Sequence, residues 1–281
     1  MNVLIEAEEL AGLLHQDSTP VVADVRWTLG GPPGLPEFEA GHIPGAQWVD
    51  LENELSAPPH GPGGRHPLPA VEVFERAMRR IGVSSGRSVV VYDAASALAA
   101  SRLWWMLTDA GHEDVRVLNG GWAAWRAAQL PVEAGAARAV SPGDFTARLG
   151  QRRLYVADEV MVALAAPDPA VVVDVRAAER YSGETEPMDP VAGHIPGAVN
   201  LPSTANLDAS GRFLTPEVLA ERFAAARVDT SSIVYCGSGI TAAHTLLALA
   251  HAGLGDGGLY AGSWSDWISD PARPVATGER P

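Results

Sequence analysis

At 281 residues the chain is long enough for about two compact domains. A content of 47% hydrophobic and 19% charged residues excludes a globally disordered chain. Twenty basic against 34 acidic side chains leave a net charge of −14, so phosphate backbones and anionic lipid surfaces meet net repulsion, and neither a nucleic-acid nor a membrane partner is expected. Every basic side chain is Arg and none is Lys, which removes Lys Schiff-base chemistry and the phosphate-binding P-loop. Cys236 is the single cysteine, which rules out an internal disulfide and a cysteine-rich zinc site. The eight His show no ligand spacing, so no metal and no cofactor are expected. The opening Met-Asn-Val-Leu-Ile-Glu-Ala-Glu-Glu-Leu has no cationic leader, and no apolar stretch reaches membrane-spanning length, which gives a cytoplasmic expectation.

In chain order, residues 7–14 carry helical periodicity, and the run from Pro20 to Arg26 is a β-branched stretch closed by Asp24-Val25-Arg26, as suits a buried parallel strand. An Ala-Gly-His-Ile-Pro-Gly-Ala turn at 40–46 leads into a polar loop, followed by a helix at 70–81, an apolar strand at 88–92 and an Ala/Leu-rich helix at 97–110. Residues 135–153, with Ser141-Pro142-Gly143 and no periodicity, read as a linker, and the domain boundary is placed near residue 140. The same series then begins again: a helix at 157–164, Asp174-Val175-Arg176, Ala-Gly-His-Ile-Pro-Gly-Ala at 192–198, a helix at 216–226, a strand at 232–235 and a helix at 241–252. Trp122 and Trp125 recur as Trp264 and Trp267, and these, with His42 and His194 of the two turns, read as structural because both copies carry them. The expectation is an α/β fold of two tandem similar domains, 1–140 and 141–281, each a mostly parallel sheet flanked by helices.

Chemistry concentrates where the second copy's strand meets its helix. Cys236-Gly237-Ser238-Gly239-Ile240-Thr241 is a strand–loop–helix junction whose glycines let successive N–H groups face one centre, and the helix start adds positive potential, which favours thiolate. Position 242 is Ala, not the Arg that a Cys-x5-Arg phosphatase needs, so phosphate ester hydrolysis lacks its anchor. Asp93 stands at the matching position of the first copy, where a carboxyl replaces the thiol.

The doubled Asp-Val-Arg…Gly-His-Ile-Pro-Gly-Ala segments, the one Cys loop and Gly262-Ser263-Trp264-Ser265-Asp266-Trp267 resemble a tandem rhodanese-domain sulfurtransferase along nearly the whole chain. The resemblance implies a silent first domain and a catalytic second one. Members that prefer thiosulfate resemble Cys-Arg-Lys-Gly-Val-Thr, whereas the present loop follows the Cys-Gly-Ser-Gly-Val-Thr of members that prefer 3-mercaptopyruvate. It further implies Cys236 as nucleophile, Ser238, His66 and Glu52 as proton-handling residues, and Arg180 with Gly237, Gly239, Ile240 and Thr241 as the substrate and persulfide site. Those members have a second Arg a few residues after the first, and Glu184-Thr185-Glu186-Pro187-Met188-Asp189 supplies none. The partners expected are a small-molecule sulfur donor and a thiol or cyanide acceptor, with a thioredoxin-like reductant among the thiols. Thiosulfate:cyanide transfer and a non-catalytic sulfur-carrying module are the alternatives.

Overall fold

A computed structural model describes residues 2–16, 18–59 and 63–281. The chain divides into two compact units, and each takes in a short segment from the other half of the sequence. The first unit comprises Met1–Ala57, Pro69–Gln151 and Ala209–Phe213; the second comprises Pro58–Leu68, Arg152–Asp208 and Leu214–Pro281.

The first unit runs β1 (Leu4–Ile5), α1 (Ala7–Leu13), β2 (Val21–Asp24), α2 (Leu35–Ala40), β3 (Gln47–Trp48), α3 (Leu51–Glu54), α4 (Val71–Arg80), β4 (Val89–Tyr92), α5 (Leu98–Asp109), β5 (Val115–Leu118) and α6 (Gly121–Ala127). The second repeats the plan with β6 (Leu154–Tyr155), α7 (Ala157–Ala165), β7 (Val172–Asp174), α8 (Ala178–Ser182), β8 (Val199–Asn200), a 3-10 turn (Ser203–Asn206), α9 (Pro216–Ala225), β9 (Ile233–Tyr235), α10 (Ile240–His251), β10 (Gly258–Tyr260) and α11 (Ser263–Trp267). Both sheets are five-stranded and parallel throughout, in the orders β1-β5-β4-β2-β3 and β6-β10-β9-β7-β8.

The central strands are apolar because both faces are covered, which is why Val89–Tyr92 and Ile233–Tyr235 are buried at every position. α5 and α10 are apolar nearly all round and almost wholly buried, whereas α4 shows one buried stripe of Phe74, Ala77 and Met78. Phe38, Tyr92 and Trp125 anchor one core, and Tyr235, Trp264 and Trp267 anchor the other.

The turns repeat down to single hydrogen bonds. Arg26 and Arg176 each hold the preceding Asp through Nε and Nη2, and Nη2 also donates to the carbonyl of Gly41 (2.8 Å) or Gly193 (2.7 Å). His42 stacks on Phe38 and His194 on Tyr181, each with Nδ1 within 2.9 Å of that ring's own carbonyl oxygen. Both His are therefore buried packing elements of their turns.

The segment read as a linker is in large part fixed to the first unit. Phe145 packs edge-on against Phe74, Arg79 Nε donates to its carbonyl at 2.6 Å, and Ala147 N–H donates to Glu75 Oε1 at 2.9 Å. The first unit accordingly continues to Gln151, beyond the boundary read near residue 140. Six strands were not read from the sequence: the two-residue β1, β3, β6 and β8, β5, which is split by Arg116, and the three-residue β10, whose sequence opens on a Gly. Among the described residues no helix is long and apolar enough to cross a membrane.

Candidate active site

The second unit's β9 ends at Tyr235, and the next residue is held at three points. Cys236 N–H donates to Ser263 Oγ at 3.0 Å, its carbonyl accepts the Trp264 N–H at 3.0 Å, and its Sγ accepts the Gly239 N–H at 3.1 Å. Gly239 sits at φ 82°, and a Cβ there would lie 2.2 Å from the Ala261 carbonyl oxygen, so both the conformation and the space require Gly. Ile240 opens α10 directly behind this loop, with Thr241 next, so the sulfur faces a helix start as well as a loop N–H.

The first unit shows what this loop shape binds. Asp93 occupies the place that Cys236 has in the second unit, and its two carboxyl oxygens accept N–H bonds from Ala95, Ala97, Ala99 and Ala100 at 2.9–3.2 Å. Burial pushes the Asp93 carboxyl up, and the four N–H groups oppose that shift. Ala97, at φ 58°, donates to the carboxylate from the residue before the helix, as Gly239 donates to sulfur. In the first unit the junction is therefore a four-donor cradle filled by an internal carboxyl, and in the second the sulfur takes one of these bonds, from Gly239.

Ser238 and His66 come together: Ser238 Oγ and His66 Nδ1 are 2.7 Å apart, and both residues are buried. His66 was read as a first-domain residue, but residues 58–68 belong to the second unit. Gly63 N–H donates to Asp266 Oδ1 at 2.7 Å and Arg65 N–H to Ser265 Oγ at 3.0 Å, which ties this segment to α11. Glu52 lies in the first unit, just after the Asp50 N-cap of α3, and its Oε1 accepts the Trp27 indole N–H at 2.7 Å.

Arg180 lies on α8 with both Nη atoms 3.6 Å from the position a Cβ of Gly237 would take. Arg65 Nη2 is 2.9 Å from that same position, so Gly237 leaves room for two guanidinium groups. These cations close an alternating chain of ion pairs. Asp174 holds Arg176 (2.6 Å), Arg176 meets Glu186 (3.3 Å), Glu186 holds Arg180 (2.6 Å), Arg180 reaches Asp189 (3.2 Å), and Asp189 pairs with Arg65. Burial, followed by the charge of Arg180, pulls the Arg65 guanidinium below its usual value, and its Nε is buried without a hydrogen-bond partner. The sequence reading missed Arg65 because it looked for a second cation just after Arg180. The position near Arg180 is instead acidic, at Asp189, and the cation that answers it adjoins His66.

Among the described residues no group of three or more His, Cys, Asp or Glu is arranged to hold a metal ion. The elements gathered in the second unit are a single buried thiol that accepts a loop N–H, a hydroxyl–imidazole pair and two guanidinium groups, a set suited to nucleophilic chemistry on a small anion.

A family model for the rhodanese-like domain matches residues 6–128 and 156–270. A Pseudomonas aeruginosa protein named "Probable 3-mercaptopyruvate sulfurtransferase" is 44% identical over 98% of this chain and 98% of its own. A Mycobacterium tuberculosis protein named "Putative thiosulfate sulfurtransferase SseB" is 42% identical over 98% of this chain and 97% of its own. The crystal structure of SseA from Escherichia coli, described with the fold and mechanism of 3-mercaptopyruvate sulfotransferases, superposes with a TM-score of 0.82 at 34% identity, over 94% of this chain and 100% of that one. With its repeated parallel sheets and a Cys loop in only one of them, the chain belongs to the rhodanese family, in the form of two tandem rhodanese-like domains.

Proposed function

We propose that this sulfurtransferase takes sulfur from 3-mercaptopyruvate and passes it, as a Cys236 persulfide, to a thiol or to cyanide. The observation that carries the reading is the buried Ser238–His66 pair, 2.7 Å apart, one residue beyond the glycine that follows the nucleophile. A donor that is itself a thiol brings a proton, and thiosulfate brings none. Cys236 thiolate attacks the donor sulfur, the carbon–sulfur bond breaks, and its electron pair leaves as pyruvate enolate. The donor's thiol proton passes through Ser238 and His66 to the enolate carbon, leaving pyruvate and an anionic persulfide. The N–H groups from Gly237 to Thr241 hold that anion, as four N–H groups hold the Asp93 carboxylate in the first unit. Arg180 and Arg65 take the donor carboxylate over Gly237. Glu52 is attached to this relay by family resemblance alone. The acceptor, a small thiol, a thioredoxin-like reductant or cyanide, then attacks the outer sulfur, and a free catalytic thiol with thiol acceptors suits the reducing cytoplasm.

One observation favours a second reading. Two guanidinium groups beside the loop would also suit dianionic thiosulfate, although each is already answered by the acids of the ion-pair chain. Steady-state assays with both donors decide the matter: 3-mercaptopyruvate is expected to show a kcat/KM at least about tenfold higher, equivalent to about 1.4 kcal/mol. Mass spectrometry after donor treatment is expected to find one added sulfur on the wild type and none on Cys236→Ser, which should be inactive with either donor. A wild-type preference for thiosulfate would overturn the donor assignment, and turnover by Cys236→Ser would overturn the covalent route.

A further inference from the structure

Ser263 is one of four non-glycine residues with positive φ among those described, at φ 54°. Its counterpart in the silent copy is Gly121, at the same φ of 54°. The left-handed region costs a glycine nothing and strains a side chain, so the active copy has taken the strained choice at a position where its twin has the relaxed one. The difference lies at the nucleophile. Ser263 Oγ accepts the Cys236 N–H at 3.0 Å, donates to the Tyr260 carbonyl at 2.9 Å and stands 3.9 Å from Cys236 Sγ. The hydroxyl is fully buried between these groups. In the silent copy a Cβ at Gly121 would lie 2.5 Å from the Asp93 carbonyl oxygen, so that copy has no room for a side chain there.

We infer that Ser263 is a positioning residue for the sulfur nucleophile. Its oxygen fixes the backbone of Cys236 at the strand end, where the sheet no longer supplies an acceptor. Its single proton, given to the Tyr260 carbonyl at rest, turns toward Sγ when the sulfur is anionic and adds to the Gly239 N–H. The tolerated strain is the mark of this role, because a purely structural plug at φ 54° would be better served by Gly. The inference rests on the assignment of Cys236 as nucleophile and is independent of which donor is used.

Two variants separate the role from packing. Ser263→Gly removes both the hydroxyl and the strain; Ser263→Ala removes the hydroxyl and keeps the strain. Both are expected to lose roughly tenfold in kcat with KM little changed, the size set by one lost hydrogen bond to a charged group. Both variants leave the buried Cys236 N–H without its acceptor and should have lower urea midpoints than wild type, Ser263→Gly the higher of the two because it relieves the strain. Alkylation of the single cysteine by iodoacetamide, which needs no sulfur donor, should slow in both variants by a similar factor. A Ser263→Gly protein that keeps wild-type kcat and alkylation rate would overturn the inference, as would activity losses that follow the two stabilities. If alkylation slows as expected while neither donor is turned over by wild type, the proposed function fails and the positioning role stands.

Discussion

At the scale of single residues, the two copies of a repeated fold differ at one junction position, a carboxyl at Asp93 and a thiol at Cys236. The same strand–loop–helix junction offers N–H groups in both units, four to the built-in Asp93 carboxyl and one to the Cys236 sulfur. The proton path proposed for the Ser238–His66 pair is open to a double-mutant test. His66→Ala and Ser238→Ala should each lower the 3-mercaptopyruvate rate by about a hundredfold, in the range expected of general acid–base catalysis. The double variant should be little slower than either single one, since the two act as one unit. Thiosulfate carries no thiol proton, so its slower rate should fall much less in all three proteins. Equal losses with both donors, or losses that multiply in the double variant, would reduce Ser238 to a part of the loop wall.

At the scale of the element, the loop's glycines have different tasks. Gly239→Ala would force a side chain into φ 82° and against a carbonyl 2.2 Å away, so a loss of about 1–3 kcal/mol of stability is expected together with slower alkylation of Cys236. Gly237→Ala is milder for the fold, because its nearest neighbour is the far end of the flexible Arg65. Pushing that guanidinium aside should raise KM for 3-mercaptopyruvate with less effect on kcat, and an unchanged KM would remove Arg65 from the carboxylate site. Much of this loop was legible in sequence, since a Gly-rich turn between an apolar strand and an apolar helix has few alternatives. The long helices and central strands were legible for the same reason: α4 and α10 differ from their expected spans by no more than a residue at each end. β5, α8 and the ion-pair chain were not, because two- to five-residue elements carry too little periodicity, and pairs such as Arg65 with Asp189 are set by tertiary packing across 124 residues of chain. The left-handed backbone at Ser263 left no trace in the motif either, as Ser at a helix start normally reads as an ordinary cap.

At the scale of the whole molecule, the two units share one construction and therefore one vulnerability. Tyr92 and Tyr235 close equivalent central strands, and each accepts an N–H from the turn at Ile43 or Ile195 on its phenol oxygen. Burial, reinforced by Asp24 in one unit and Asp174 in the other, pushes both phenols well up. Burial and Asp174 likewise raise Tyr181 to about 12, and burial with Asp266 raises Tyr260. Each of these phenols stays protonated in the folded chain at pH values where the unfolded chain has already ionised. The folded state then binds more protons than the unfolded one, so stability is complete below the ordinary phenol value of 10.0 and is lost as pH rises toward the raised values, about 12 for Tyr181. Urea midpoints should therefore fall between about pH 10 and pH 12, each phenol contributing at most about 1.4 kcal/mol per pH unit. Tyr181→Phe keeps the ring that stacks on His194 and loses the 2.6 Å hydrogen bond to the Ala198 carbonyl. It should be less stable than wild type at neutral pH yet lose less on going alkaline, so the two stability curves approach one another. Parallel curves would mean that the Tyr181 phenol does not titrate differently in the folded and unfolded chains.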